Sequence, residues 1–267
     1  MRQKLLKIFR SKVLQPLWIK LHHISLIGMN YFGGASLNHS GEIFALNYMK
    51  EKLKGKGKIL IFDVGANSGE YSILANALFE DTGVIHAFEP SSFTFKILEE
   101  KTENYPQIKP HKLGVGSENT LLKLYSSGKG RTTASVYNLA YSLNNFSEEF
   151  TESIEVTSVD TFCRENDIEA IDILKIDIEG HELAAIKGAK NMIESNSLNF
   201  IQFEFGKCHI DSKVFFRDFY ELLSPGFKLF RIVADGLFEI KNYDSSLEIF
   251  HTANYLAERK TPFKSSI

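Results

Sequence analysis

An unbroken apolar run, Ile59-Leu60-Ile61-Phe62, leads into Asp63-Val64-Gly65-Ala66-Asn67-Ser68-Gly69, and this junction constrains the chain more than any other stretch. A run without polar alternation suits a strand covered on both faces, as in a parallel sheet. Beyond the turn, Tyr71, Leu74, Ala75 and Leu78 recur at i, i+3, i+4 and i+7, one face of a helix. A strand, glycine turn and helix in this order place free backbone N–H groups beside the crevice at the strand's carboxyl end. Open α/β sheets bind nucleotide-like ligands there. The expected fold class is therefore α/β and Rossmann-like.

The turn itself discriminates among such ligands. In the dinucleotide fingerprint G-x-G-x-x-G the second glycine admits a pyrophosphate; here that position is Asn67, and Asp63 precedes the turn. A carboxylate there repels a pyrophosphate but attracts the ammonium and sulfonium of S-adenosylmethionine. The bland alternative is a glycine turn that only redirects the chain. A second apolar run, Val84-Ile85-His86-Ala87-Phe88, ends in Glu89-Pro90. An acid at the end of the second strand can accept both hydroxyl protons of a ribose diol. A third run, Ile171 to Ile176, enters Asp177-Ile178-Glu179-Gly180-His181-Glu182, and Leu183, Ile186 and Ile193 then share a helical face. Four ionisable groups in six residues at a strand end are costly unless exposed or functional.

The segments FDVGANSGEYS (62–72), HAFEPS (86–91), VTSVDTF (156–162), DILKIDIEGHELAAIKGA (172–189) and ANYLAER (253–259) together resemble an FkbM-type methyltransferase, a branch of the class I S-adenosylmethionine-dependent enzymes. The resemblance implies a mostly parallel seven-stranded sheet closing in an antiparallel hairpin, with an N-terminal helical arm added in this chain. It implies S-adenosyl-L-methionine as cofactor and O-methylation of a hydroxyl on a sugar, a glycan or a secondary metabolite. Carried onto this sequence, the cofactor contacts are Asp63, Gly65, Asn67, Gly69, Tyr71, Glu89, Pro90, Ser117 and Asp177. Where the family commonly shows Gly-Asp, this chain has Gly116-Ser117, so Ser117 would meet the adenine edge without a charge, and the acidic role would pass to Glu118.

At 267 residues with 43% hydrophobic and 24% charged content, the chain suits one large domain and an arm. The expected division is an arm over 1–54 and a methyltransferase domain over 55–267, with an acceptor-side insertion over 120–157. Two cysteines, Cys163 and Cys208, argue against a disulfide framework and for a reducing, cytoplasmic setting. No apolar run approaches the roughly 18 residues of a membrane helix.

The net charge of −2 conceals an asymmetry. No acid precedes Glu42, whereas Arg2, Lys4, Lys7, Arg10, Lys12 and Lys20 crowd the start. Leu5, Phe9, Val13, Leu17 and Leu21 recur every fourth residue, an amphipathic arm bent at Pro16. Lysines interrupt every apolar core that a secretory signal would need. The preferred reading packs the arm on the domain or on a second copy in a homodimer. The alternative sets residues 1–20 against an anionic membrane, where a lipid-linked glycan could be the acceptor. Nothing in the remaining, acidic chain supports nucleic-acid binding.

Strands are expected over 58–64, 83–88, 109–115, 171–176 and 199–205, closing near 228–233 and 250–257, with Asp235-Gly236 as a tight turn. Leu121, Leu122, Leu124, Ile154 and Val156 suggest strands flanking a polar excursion that carries Arg131 to Ser135 and Asn144-Asn145. That excursion reads equally as an acceptor loop or as plain surface.

Methylating an alcohol requires alignment, exclusion of water and removal of one proton. The candidates for the base are Asp177, Glu179, His181, Glu182 and Glu204. Asp177 is assigned to positioning, and His181, kept neutral in the first turn of a helix, to proton acceptance. The alternative is that His181 and Glu182 only cap that helix. His209 could join Asp177 and Glu204 around a metal, but a lone histidine near carboxylates is more often solvated, and no metal is expected. Two rival functions share the fold. A nicotinamide oxidoreductase would need the missing second glycine, and a non-catalytic subunit of a glycan-assembly complex would not need Asp63, Gly65, Gly69 and Glu89 intact.

Overall fold

The computed structural model describes residues 2–32, 40–126, 134–139 and 150–261. The helices of the N-terminal part are α1 (Arg2–Phe9), α2 (Gln15–Gly28) and α3 (Glu42–Lys52). There follow β1 (Ile59–Val64), α4 (Glu70–Phe79), β2 (Gly83–Phe88), α5 (Ser92–Thr102), β3 (Ile108–His111), β4 (Gly114–Gly116), β5 (Thr120–Ser126), β6 (Ala134–Ser135) and β7 (Phe150–Ser158). The remainder is α6 (Val159–Glu165), β8 (Ile171–Ile176), α7 (Glu182–Lys187), α8 (Lys190–Glu194), β9 (Leu198–Phe205), α9 (Cys208–Ser212), α10 (Phe216–Leu223), β10 (Phe227–Val233), β11 (Gly236–Ile240) and β12 (Ala253–Arg259).

The main sheet has eight strands in the order β11-β10-β12-β9-β8-β1-β2-β3. Strands β3, β2, β1, β8 and β9 run parallel, whereas β12, β10 and β11 pair antiparallel. The eighth strand corrects the expected seven. After Val233 the chain turns at once, Gly236 pairs with Val233 and Ile240 with Leu229, so β11 extends the sheet edge.

Both faces of the parallel strands are covered, which is why they read as continuous apolar runs. In β1, Phe62 and Val64 join one buried cluster with Phe88, Phe162 and Phe203, whereas Ile59 and Ile61 join the other with Ala75, Phe79 and Ile85. Each such side chain contributes roughly 1.5–3 kcal/mol by leaving water.

The expected strand over 109–115 is broken. β3 ends at His111, and β4 leaves for a second, four-stranded sheet of order β4-β7-β5-β6. Pro110 lies in β3, an edge strand, where a missing ladder donor is tolerated. The 120–157 insertion thus holds a sheet in which Thr120 to Ser126 pair with Val156 to Phe150. Arg131 to Thr133 and Asn144-Asn145 lie outside the described residues.

The 1–54 segment divides in two. α3 packs Ala45, Leu46 and Met49 into the core, as do Leu26 and Tyr31 at the end of the preceding helix. From Leu6 through most of α2, apolar side chains face outward, Val13 between the two helices at 85% exposure and Ile19 in α2 at 68%. The break between these helices falls at Arg10-Ser11, with Pro16 inside the first turn of α2. No helix among the described residues is long and apolar enough to cross a membrane.

Candidate active site

A cavity of about 700 Å³ opens at the carboxyl ends of β1, β2, β8 and β9. The β1 turn from Val64 to Tyr71 lines it, as do the apolar Leu124, Ile154 and Val156 of the small sheet and Val136 just after β6.

The turn is fixed by close backbone approaches. Gly65 has φ +80°, and a Cβ there would lie 1.9 Å from the Asp177 carbonyl oxygen. Gly65 N and Ala66 N both donate to Phe88 O, at 3.0 and 2.9 Å, and Asp177 N donates to Val64 O at 3.0 Å. Asn67 adopts φ +49°, a left-handed conformation that asparagine tolerates better than most side chains. Gly69, at φ +87°, starts α4 where a Cβ would meet Leu98 at 2.8 Å.

Glu89 lines the cavity at the end of β2. Its Oε2 accepts from Asn67 N at 3.1 Å and its Oε1 from Ser91 N at 2.9 Å. Burial outweighs these donors and pushes the carboxyl up to about 7. Pro90 and Tyr71 also line the cavity.

Asp63 takes a different position from the cavity-facing one expected. It is fully buried, with Oδ2 accepting from Ser72 Oγ at 2.7 Å and Oδ1 3.5 Å from Lys175 Nζ. Lys175 also reaches Asp177 Oδ2 at 3.4 Å, and it does line the cavity. Burial alone would lower the lysine, but Asp177, Asp63 and Glu42 outweigh it and hold it cationic. Asp63 is thus joined to the cavity lining by way of Lys175.

Glu42, from α3, reaches the same cavity, and sequence reasoning missed it. Its Oε1 accepts from Gln202 Nε2 at 2.9 Å and its Oε2 from Ser40 Oγ at 2.8 Å; burial raises its carboxyl. The signal that could have found it was its place as the first acid of the chain, at a helix start.

After β8 the backbone makes a strained loop, with Glu179 at φ +53° and Gly180 at +105°. The buried Glu182 carboxylate holds it, accepting from Ile178 N and Gly180 N, both at 2.9 Å. Glu182 Oε2 also lies 3.0 Å from His209 Nε2. Among the described residues no group of three His, Cys, Asp or Glu, His209 with Asp177 and Glu204 included, is placed to hold a metal.

Asp177, Glu179, His181 and Glu204 all line the cavity. Glu179 accepts from Cys208 Sγ at 2.9 Å through Oε2. Burial and the facing Asp177 push Glu179 up to about 7, and burial with Asp177 and Glu179 pushes Glu204 well up. His181 is wedged. Its Nδ1 lies 3.1 Å from the Tyr137 hydroxyl, and its Nε2 would be 3.0 Å from a Cβ on Gly116. Burial, rather than the helix end expected, lowers its pKa, against Glu182. Ser135, from the polar excursion marked in the sequence, donates to Glu179 O at 2.7 Å, whereas Tyr137 had no sequence signal. Ser117 and Glu118 are exposed and lie off the cavity, whose lining there is Leu113 to Val115.

Residues 63–229, most of the chain, match the methyltransferase FkbM domain. The chain belongs to the FkbM methyltransferase family. Hexuronic acid methyltransferase AglP of Haloferax volcanii is 26% identical over 143 residues, 53% of this chain and 54% of that protein. The match thus spans about half the length of this relative. Among solved structures, a SAM-dependent methyltransferase from Agrobacterium tumefaciens superposes with TM-score 0.46 at 8% identity, covering 83% of this chain and 62% of that one. Precorrin-6y C5,15-methyltransferase from Geobacter metallireducens GS-15 gives TM-score 0.41 at 13% identity over 81% and 88%. In this FkbM methyltransferase the parallel strands are continued by the reversed β12–β10 pair and by β11.

Proposed function

We propose that this FkbM methyltransferase moves a methyl group from S-adenosylmethionine to a hydroxyl oxygen of a sugar, a glycan or a similarly hydroxylated metabolite. The observation that carries this reading is Glu89. Two backbone N–H groups pin its carboxylate in the cavity wall, and each oxygen keeps a lone pair for a ribose hydroxyl. The surrounding charge also fits. Glu42, Glu89, Asp177, Glu179 and Glu204 line the cavity with Lys175 as the buried cation among them. Such a lining suits a ligand bearing an ammonium and a sulfonium and disfavours the pyrophosphate of a nicotinamide dinucleotide.

The residues that would hold the donor are Gly65 to Asn67 by backbone, Glu89 by its carboxylate, and Asp177, set in place by Lys175. When bound, S-adenosylmethionine supplies an electrophilic methyl carbon on sulfur, and its transfer leaves a neutral thioether. The chain's own work is on the acceptor. Glu179 is the proton acceptor: Oε2 is engaged by Cys208, leaving Oε1 for the hydroxyl proton, and a carboxyl near 7 suits a base at neutral pH. His181, with one ring nitrogen on Tyr137 and the other against Gly116, shapes the wall beside it. The apolar face of the small sheet excludes water.

The relative's name supports a sugar acceptor, since AglP is described as acting on hexuronic acid. The test is methyl transfer from labelled S-adenosylmethionine to a panel of saccharides, followed by identification of the methylated atom. A product carrying the label on a hydroxyl oxygen is expected. Transfer to nitrogen or carbon, or NAD reduction with no transfer, would contradict the reading.

A further inference from the structure

The N-terminal helices carry their apolar side chains outward. Ile8, Phe9, Val13, Leu17, Ile19 and Ile24 are all exposed, and from Leu6 to Ser25 no residue is buried. The two helices hold their own corner. Trp18 Nε1 donates to Phe9 O at 2.8 Å, the two ring centroids lie 4.7 Å apart, and Leu14 N donates to Ser11 O at 3.1 Å. The segment is anchored in the domain by Leu26 and Tyr31, both buried. Phe32 N then donates to Thr252 O at 2.9 Å, and Phe32 lines the cavity. The arm is thus shaped by local contacts and rooted at the cavity rim.

Its charge is of one sign. Lys7, Arg10, Lys12 and Lys20 are exposed, and among the described residues none of them is in ion-pair contact with a carboxylate. Arg2 and Lys4 also belong to this stretch, and no acid occurs before Glu42. An exposed apolar surface studded with cations calls for a cover that is both apolar and negative. A second copy does not supply one. A two-fold contact sets each patch against itself, so the cations would meet with no acid in the segment to pair them. At 14 residues, α2 is also too short to cross a bilayer. An anionic lipid surface meets both demands, since its acyl chains take the apolar side chains while its headgroups pair the cations.

We propose that the α1–α2 arm docks this protein on the surface of a membrane containing anionic phospholipid, with its apolar side chains in the boundary between headgroups and acyl chains. Lys12 and Lys20 can lay their methylene stems along that boundary and keep their ammonium groups among the phosphates. Phe9 and Trp18 suit the same depth, where aromatic rings collect. With a net charge of −2 and six cations before Glu42, the rest of the chain is acidic, so the surface attracts the arm and repels the domain. Sequence alone favoured packing of the arm on the domain or on a second copy; the exposure from Leu6 to Ser25 moves the balance to lipid. The helix α2 is about 21 Å long at about 1.5 Å per residue, so docking holds the cavity mouth close to the lipid. The proposal goes beyond the methyl-transfer reading and does not depend on it, since it uses no donor or acceptor group.

The test is co-sedimentation of the full chain with vesicles of equimolar phosphatidylglycerol and phosphatidylcholine, and with vesicles of phosphatidylcholine alone. Binding to the anionic vesicles is expected to be roughly tenfold or more tighter, from several cations near the surface. That excess should shrink as salt rises from about 0.1 M to about 0.5 M, where surface charges are screened. The double variant Val13→Asp with Ile19→Asp should lose vesicle binding and keep the parent's melting temperature, because neither side chain packs on the domain. Lys12→Glu with Lys20→Glu should abolish the preference for the anionic vesicles. Sedimentation velocity without lipid should show a monomer. The proposal is overturned if the chain binds neither vesicle or both equally, or if the aspartate variant still binds. A lower melting temperature in that variant, or a dimer that it dissociates, would overturn the proposal too, by assigning the face to the domain or to a second copy.

Discussion

The Glu182 carboxylate and the His209 imidazole meet at 3.0 Å, neither open to solvent, and their contact ties together the loops that leave two adjacent strands, β8 and β9. Glu182 also accepts from two amides of the loop that carries Asp177 to His181. Replacing Glu182 by Ala removes the acceptor of both amides and leaves His209 buried without its partner. A loss of about 3 kcal/mol in urea denaturation is expected, the lower end of the range for breaking a buried pair. A variant as stable as the parent would show that the loop holds itself. Burial alone would raise the Glu182 carboxyl, but His209 and the Ile178 N–H lower it. Its contribution is therefore present above the ordinary glutamate value and is lost as pH falls through the folded one.

Gly65→Ala tests how closely the β1 turn approaches the end of β8. The new Cβ would sit 1.9 Å from Asp177 O in a backbone at φ +80°. Left-handed strain and overpacking together cost about 3 kcal/mol or more. Reduced melting temperature and loss of S-adenosylhomocysteine binding are expected. A variant that keeps both would refute the close approach.

Glu179 and His181 are separated by kinetics. If Glu179 takes the proton, Glu179→Gln loses about 10²- to 10⁴-fold in turnover while still binding S-adenosylhomocysteine. The parent's kcat/KM should rise with pH through about 7 as Glu179 ionises, and the variant should lack that rise. His181→Asn should cost much less. The reverse pattern, with His181→Asn the more damaging change, would restore His181 as the base.

How much of this was legible depends on how local each constraint is. The β1 turn and its helix could be read because one short stretch holds the apolar run, the acid and the glycines. The turn after Val233 was legible, but β11 beyond it was missed as a strand because Gly236 to Ile240 is a short, partly exposed edge segment. The second sheet was missed as a sheet because Thr120 and Val156 pair across an intervening polar stretch. Glu42 reaches the cavity through the packing of α3, and Tyr137 meets His181 across 44 positions. No spacing rule reports either. Asp63 was legible as the carboxylate before the turn, but its orientation depended on Lys175 and Ser72, which only the fold brings beside it.

His86 and His111 make acid stability a further test. Their facing ring nitrogens lie 3.0 Å apart among Phe62, Phe88 and Phe162, and burial lowers them to about 3 and about 4. Both folded values lie below the ordinary imidazole value of 6.5. The stability tied to their neutral state is thus present above pH 6.5 and lost as pH falls toward the folded values. His86→Phe should narrow the difference in melting temperature between pH 7 and pH 5. An unchanged or wider difference would contradict the assignment.

The central claim, that the cavity holds a methyl donor through Glu89, is tested most directly by calorimetric titration of S-adenosylhomocysteine into the parent chain and Glu89→Ala, with NAD as control. Glu89→Ala deletes the ribose acceptor and is expected to weaken binding about tenfold or more, from the 1.5–3 kcal/mol of a hydrogen bond to a charged group. The parent should bind S-adenosylhomocysteine and show no heat with NAD. Equal affinity in parent and variant, or tighter binding of NAD, would contradict the account.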